Sequence, residues 1–223
     1  MYVPRVLRPL PDEDRKRLLR AARVNTYARR EVLVHEGADS DDFHILLEGR
    51  VAIRVHTSSG DSAIVNILGP DDHFGEVSLL AESPSGTPSR TATVVALEQV
   101  RTMSIPAAVF HDLRGRNPGL EQLVSRLLAR RVDELSMQLK EAMYDPLERR
   151  VVRRLSRLAT TYGVTEDGPV TIPLTQDELG QLVGGTRPSV NQALQPLVEA
   201  GLVRLARGRI TITDQEALRR AAE

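Results

Sequence analysis

The hydrophobic pattern of this chain changes period once, and that change limits the folds open to it. Between Glu31 and Ile105 short apolar runs alternate with polar residues and are split by glycines, as in "VLVHEG", "FHILLEGRVAIRV", "SAIVNILGP" and "TATVVALEQVRTMSI". Val51, Ile53 and Val55 fall on one side of such a run, with Arg50, Arg54 and His56 on the other. Successive side chains of a strand point to opposite faces, so a two-residue period marks half-buried strands. Gly37, Gly49, Gly60, Gly69 and Gly75 stand where these strands turn. The expectation is an antiparallel barrel or sandwich of short strands. Segment 81–89, "AESPSGTPS", has no apolar side chain beyond one alanine and reads as a loop.

From Pro106 onward the apolar residues recur every three or four positions. Pro106–Asn117 reads as a short helix ended by Pro118, and 119–144 as one long uninterrupted helix. In it Leu120, Val124, Leu128, Leu135, Leu139 and Ala142 form a seam of the two-stranded kind, broken at Arg131. Leu123, Leu127 and Val132 lie on the adjacent face. The plainer reading packs this helix on its own β-domain alone. Two apolar faces on one helix point instead to a roll on one side and a twin helix on the other, hence a homodimer with Leu120, Val124, Leu128, Leu135 and Leu139 at its interface. Upstream of the strands, Leu10–Val24 reads as a short amphipathic helix with Leu18, Leu19 and Ala22 on one face. Asp12, Glu13 and Asp14 suit its electropositive end.

Asp145–Pro146 interrupts the long helix, because a residue before proline is pushed out of helical geometry. The expected domains are 1–118, a β effector domain; 119–145, a dimerisation helix and hinge; and 146–223, a helical domain. In the last, Leu147–Tyr162 is a helix with Val151, Val152, Leu155, Leu158 and Ala159 apolar, followed by an extended stretch, "VTIPL".

The densest local information lies in Thr175–Leu205. Thr175 and Glu178 have the spacing of a capping box, so a helix begins at Gln176. Leu179 and Leu182 face inward, and Gly180 is small where a second helix must cross. Gly184 and Gly185 allow a tight turn; Thr186 caps the next helix, and Pro188 stands in its first turn, where a missing N–H costs nothing. Val190, Ala193, Leu194 and Leu197 make its buried face. This is helix-turn-helix spacing. The opposite face carries Arg187, Ser189, Asn191, Gln192 and Gln195, donors and acceptors suited to base edges or phosphates. Gly201 ends the helix. Leu202–Leu205 and Arg209–Thr213 form a hairpin around Arg207–Gly208, a wing. Thr175, Gln176, Thr186, Arg187, Ser189, Asn191, Gln192 and Arg207 are the candidate DNA contacts, and double-stranded DNA the expected partner.

Composition narrows the alternatives without choosing among them. The chain has 30 basic and 30 acidic residues and no net charge, so charge alone argues for no polyanion. Residues 1–145 hold 19 basic and 21 acidic residues, and 146–223 hold 11 and 9, a tilt toward the helical end. Of the basic residues only Lys16 and Lys140 are lysines; a GC-rich genome accounts for that as well as phosphate binding does. With no cysteine there is no disulfide, no cysteine-ligated iron–sulfur cluster and no cysteine nucleophile. No apolar run is long enough for a membrane span, and the N-terminus lacks a signal-peptide core, so a cytoplasmic protein without membrane contact is expected. No metal site, catalytic residue, nucleophile elbow or phosphate loop stands out; Ser78 near His73 and Glu76 reads as a turn serine rather than a nucleophile. A haem-sensing reading needs a histidine ligand, and His35, His44, His56, His73 and His111 show no spacing that favours one. A ligand module regulating a partner protein is a further rival, disfavoured by the wing.

Taken together, these residues resemble the CRP/FNR family of bacterial transcription regulators over nearly the whole chain. "FGEVSLL" from Phe74 and "SRTATVVAL" from Ser89 carry the likeness in the β-domain, and Thr175–Leu205 in the helical one. The resemblance implies an α+β fold: an N-terminal antiparallel β jelly roll of the cyclic-nucleotide-binding type, a long dimerisation helix and a C-terminal winged helix-turn-helix. It implies cAMP as effector, with Gly75 and Glu76 at the ribose, Arg90 and Thr91 at the cyclic phosphate, and Leu135 and Ser136 where a threonine–serine pair meets the adenine. The alternative for Glu76 and Arg90 is a structural ion pair between strands. Glu76 and Arg90 stand further apart than is usual in cAMP-binding members, and Leu135 can neither donate to nor accept from a purine. Both departures allow another effector, or ligand-independent control. The resemblance also implies a palindromic DNA site and, for an activator, RNA polymerase as partner. The family's arginine–glutamate–x–x–x–arginine reading face is here Arg187, Pro188 and Gln192, which points to a different DNA site.

Overall fold

A computed structural model describes residues 2–39, 41–56, 62–79, 89–114, 118–163 and 168–222. After a 3-10 turn at Arg5–Leu7, the elements run α1 (Asp12–Ala21), β1 (Arg23–Tyr27), β2 (Val32–Val34), β3 (Asp42–Glu48), β4 (Val51–His56), β5 (Ser62–Leu68), β6 (His73–Phe74), a second 3-10 turn (Glu76–Leu79), β7 (Thr93–Ala96), β8 (Val100–Pro106), α2 (Ala107–Arg114), α3 (Pro118–Tyr144), α4 (Leu147–Tyr162), β9 (Val170–Ile172), α5 (Gln176–Val183), α6 (Arg187–Glu199), β10 (Val203–Ala206), β11 (Arg209–Ile212) and α7 (Gln215–Ala222). They divide into two compact bodies, one of residues 1–55 and 67–135, the other of 56–66 and 136–223. The long helix, expected as a segment of its own, gives its first two-thirds, through Leu135, to one body and its last third to the other. Gly60, Asn117, residues 81–88 of the expected loop and the side chain of Ser78 lie outside the described residues.

The first body is the expected antiparallel roll. The two sheets have strand orders β1-β8-β3-β6 and β2-β7-β4-β5, with residues 62–66 of β5 counted in the second body. Leu46, Phe74 and Val100 of the first sheet meet Val51, Ile53, Val94 and Ala96 of the second in one apolar cluster. On its other face the first sheet is covered by helices: Phe43, Ile45, Met103 and Ile105 join Leu7, Leu18, Phe110, Leu120, Leu123, Val124 and Leu127. That double cover explains why "FHILL" in β3 breaks the alternation of its neighbours, since a strand buried on both faces needs apolar residues at both parities. Gly49 turns β3 into β4 at φ +77°, and a Cβ there would stand 2.2 Å from the carbonyl oxygen of Gln99.

The N-terminal helix is shorter than its amphipathic pattern suggested. Ala22 is extended at φ −69°, ψ 143°, and Val24 belongs to β1, paired with Met103 of β8. β-branched residues in "RVNTY" fit a strand better than a helix. Pro118, expected as the stop of α2, is the first residue of α3, where proline is preorganised for the helix.

In the second body α4 buries Val151, Leu155, Leu158 and Ala159. The sheet order β10-β11-β9 places "VTI" of the extended stretch beside the wing hairpin. The sequence reading did not anticipate α7. Its start is fixed by Asp214, whose Oδ1 accepts from the Ala217 N–H at 2.8 Å, and Leu218 is its buried anchor.

Candidate effector pocket and nucleic-acid interface

A cavity of about 760 Å³ opens in the first body, within the size range of small-ligand sites. Its wall includes Gly75, Glu76, Arg90 and Thr91, so four residues expected to act together do line one space. Arg90 is the chemical centre. Its backbone is pinned to the segment after β2: its N–H donates to the Ala38 carbonyl and its own carbonyl accepts from Gly37, both at 2.8 Å. Its side chain is only 8% exposed, yet Nε and Nη1 have no hydrogen-bond partner. Burial lowers the guanidinium's pKa, opposed by the carboxylates of Asp42, Asp41 and then Glu76. An arginine stays charged even so, and buried donors left unpaired in a cavity are what an anion would satisfy.

Gly75 makes that position of Arg90 possible. It sits at φ +84°, and a Cβ on it would lie 2.4 Å from Arg90 Nη1 and 2.7 Å from the Asp42 carbonyl oxygen. Any other residue would displace the arginine as well as strain the turn. Glu76 ranks third among the carboxylates that favour the charged arginine, so a simple strand-to-strand pair of the two is not the main interaction here.

Two expected effector residues stand elsewhere. The α3 part of the cavity lining ends at Glu134, and both Leu135 and Ser136 are exposed to solvent. The helix supplies Leu123, Leu127, Arg126 and Arg130 to the cavity instead. Matching positions along the sequence could not reveal which residues of α3 are covered.

Of the five histidines, His73 lines the cavity, a position its sequence context did not suggest. Burial lowers its pKa, against the carboxylates of Glu76, Asp72 and Glu134. His44 in β3 is buried and stacked on Phe74, with ring centroids 4.6 Å apart and planes 5° from parallel. Burial first, and then the charge of Arg90, push its pKa down to about 4, with Asp42 opposing. His35, His56 and His111 are exposed.

The dimer seam also needs correction. Leu120 and Val124 are 1% and 3% exposed, spent in the core of the roll with Leu123 and Leu127, and cannot face a partner. Val132, expected against the roll, is 61% exposed. The exposed apolar stripe is therefore Val132, Leu135, Leu139 and Ala142, with steps of three, four and three, while Leu128 is half-buried and packs on the roll's core.

In the second body the local signals of the helix pair are all realised. Glu178 N–H donates to Thr175 Oγ1 at 3.1 Å, and Thr175 N–H to Glu178 Oε2 at 2.9 Å, closing the capping box. Gly184 ends α5 at φ +67°, and the Gly185 N–H returns to the Gly180 carbonyl at 2.9 Å. A Cβ on Gly180 would lie 2.6 Å from the Gly185 carbonyl oxygen, so the turn folds directly over this glycine. Thr186 caps α6, and Val190, Ala193, Leu194 and Leu197 are buried as expected. Arg187, Asn191, Gln192 and Gln195 are exposed on the opposite side; Thr175 and Thr186 are exposed at the caps, and Gln176 and Ser189 are half-buried. Arg207 is exposed beside Gly208 in the wing turn. Arg204 and Arg209 on the wing strands are exposed too, and the alternation of β10 and β11 was a signal that could have placed them.

A roll with a buried, unsatisfied arginine, continued by a winged helix-turn-helix, defines a class: transcription regulators that pair a cyclic-nucleotide-binding-type domain with a DNA-reading domain. The family model described as the cyclic nucleotide-binding domain matches residues 24–117, and that of the Crp-like helix-turn-helix domain matches residues 149–221. A CRP-like cAMP-activated global transcriptional regulator of Mycobacterium tuberculosis is 31% identical over 198 residues, 88% of this chain and 86% of that protein. The cAMP-activated global transcriptional regulator CRP of Pasteurella multocida is 28% identical over 181 residues, 81% of this chain and 85% of that protein. Among solved structures, FixK2 from Bradyrhizobium japonicum superposes with a TM-score of 0.77 at 17% identity, covering 91% of this chain and 98% of its own. The c-di-GMP responsive global regulator CLP of Xanthomonas campestris does so with a TM-score of 0.73 at 17% identity, covering 91% and 99%. The chain belongs to the CRP/FNR family, and is a DNA-binding transcription regulator rather than an enzyme. No helix among the described residues is long and apolar enough to cross a membrane.

Proposed function

We propose that this regulator is a homodimer whose affinity for a palindromic DNA site is set by an anionic effector bound at Arg90, with cAMP the leading candidate. The observation that carries the reading is the pair of unpartnered donors on the buried Arg90 guanidinium, held beside Gly75, Glu76 and Thr91. The relatives named as cAMP-activated support cAMP. A cyclic phosphate would take the Arg90 donors, and Glu76 would accept from a ribose hydroxyl.

Two chains pair through the exposed α3 stripe, a face that a second copy of the same stripe complements. The domain spans are then 1–118, 119–145 and 146–223. The α3–α4 junction is held by charge: Asp145 is ion-paired with Arg149 and Arg153, and Glu141 with Arg153 and Arg157. A shift of α3 therefore moves α4 with it and resets the spacing of the two recognition helices, which must be about 34 Å apart to read successive major grooves. Arg187, Ser189, Asn191 and Gln192 face the bases, while Thr175, Gln176, Thr186 and Arg207 grip the backbone. RNA polymerase is the further partner if the regulator activates.

Calorimetric titration of the nucleotide-stripped protein with cAMP tests the effector. Saturable micromolar binding lost in Arg90→Met is expected. Absence of heat would exclude cAMP and favour the second reading, a different anionic effector. That reading draws on the exposure of Leu135 and on its inability to donate to or accept from a purine. Sedimentation tests the dimer: Leu139→Glu should give a monomer, and an unchanged dimer would remove α3 from the interface.

A further inference from the structure

We infer, on the reading of the cavity as an effector site, that Asp42 makes this site select a singly charged phosphodiester over a doubly charged phosphomonoester, by holding a carboxylate behind Arg90. The two residues meet at Gly75. A Cβ on Gly75 would lie 2.4 Å from Arg90 Nη1 and 2.7 Å from the Asp42 carbonyl oxygen, so the guanidinium and the first residue of β3 approach one another over a single glycine. Asp42 shares its face of β3 with His44 and Leu46, and Leu46 belongs to the apolar cluster between the two sheets. The Asp42 carboxylate is held in place: its Oδ2 accepts from the hydroxyl of Ser104, a buried residue of the neighbouring strand β8. Among the carboxylates that favour the charged guanidinium, Asp42 comes first. Arg90 forms part of the cavity wall and Asp42 does not, so a ligand meets the guanidinium with this carboxylate at its back.

An arginine standing alone attracts a dianion more strongly than a monoanion, because Coulomb attraction grows with charge. The surroundings of Arg90 reverse that order. Among the described residues the cavity wall carries five arginines and five carboxylates, so its own charge is balanced. Burial lowers the pKa of the two nearest histidines, His44 and His73, so near neutral pH they add no positive charge. Asp42, with the exposed Asp41 beside it, therefore tips the environment of the guanidinium to negative. The first charge of a ligand is matched by Arg90. A second finds no free cation at that depth. Arg5, Arg126 and Arg130 on the wall are exposed, where water and salt screen them, and Arg131 is paired with Glu134 at 3.5 Å. Selection of this kind works by penalising the competitor rather than by adding a contact to the preferred ligand. The same carboxylate offsets the cost of burying the guanidinium charge.

Dimethyl phosphate and methyl phosphate test this without any nucleotide. Near pH 8 the first carries one charge and the second two, since a phosphomonoester loses its second proton at about pH 6. Phosphorus NMR line broadening on the full-length protein gives the affinity for each, and the part lost in Arg90→Met belongs to this site. The native protein should bind dimethyl phosphate more tightly. Asp42→Asn, whose amide oxygen can still accept from Ser104, should shift the ratio of affinities toward methyl phosphate on the order of tenfold. Asp41→Asn should shift it in the same sense by a smaller factor, and as a change at an exposed position it decides the matter if Asp42→Asn fails to fold. Arg90-dependent binding with a preference for methyl phosphate in the native protein, or with one ratio common to the native protein and both variants, would overturn the role of Asp42 and leave the anion site standing. Absence of Arg90-dependent binding for both anions would remove the anion site, and the selectivity with it.

Discussion

Replacing Arg90 with methionine should make the ligand-free protein more stable while abolishing effector binding. In the folded state Arg90 is buried and two of its donors are unpaired. Each such donor costs about 1–3 kcal/mol relative to a hydrated one. Methionine is a similarly unbranched side chain with no polar N–H donor. Against this gain stands the loss of attraction to Asp42, Asp41 and Glu76, which now favour the charged arginine. Exchanges of buried ionic groups for apolar ones of similar size commonly come out neutral to a few kcal/mol stabilising. The net expectation is about 1–2 kcal/mol, a rise in melting temperature of roughly 4–8 °C for a domain of this size. Scanning calorimetry with and without cAMP is the assay. At a hundredfold excess over Kd the effector would add about 2.7 kcal/mol to the native protein and nothing to the variant, so the order of melting temperatures should reverse. A variant that melts several degrees lower without ligand would show that Arg90 is a structural member of an ion-pair network, and the anion-site reasoning would fail.

Other expectations follow from single contacts. Arg187→Ala should weaken specific DNA binding by about 1–3 kcal/mol and relax preference at one base pair; selection from a randomised site checks this, and an unaltered preference would remove Arg187 from base reading. Gly180→Ala should cost the second body about 1–3 kcal/mol, because the added Cβ would lie 2.6 Å from the backbone oxygen of Gly185; denaturant titration followed through the helical domain measures it. His44 is neutral in the folded protein and takes up a proton far more readily when unfolded, its folded pKa being about 4 against an ordinary 6.5. Its contribution is complete above pH 6.5 and is lost as pH falls toward 4, about 3 kcal/mol in all, and His44→Phe should flatten that part of the stability–pH curve.

Much of the molecule was readable because its signals are local. A capping box, a glycine turn and a capped second helix act within a few residues of one another, so Thr175, Gly184 and Thr186 defined the helix pair before any contact was known. The two-residue period from Glu31 likewise announced strands, and Gly75, Glu76, Arg90 and Thr91 could be grouped through family resemblance. Periodicity, however, states which side chains share a face and leaves open what covers it. Leu120 and Leu139 belong to one seam on paper, yet the first is buried in the core of the roll and the second is exposed. The same limit hid the double burial of β3 and the exposure of Leu135 and Ser136. The unpaired donors of Arg90 and its approach to Asp42 depend on residues brought together across long stretches of chain. Local patterns in the chain marked most of the elements, with α7 and β1 the exceptions, and the chemistry available at their ends. Packing brought in from distant stretches of chain settled which apolar faces were already spent and which buried guanidinium kept two donors unpaired.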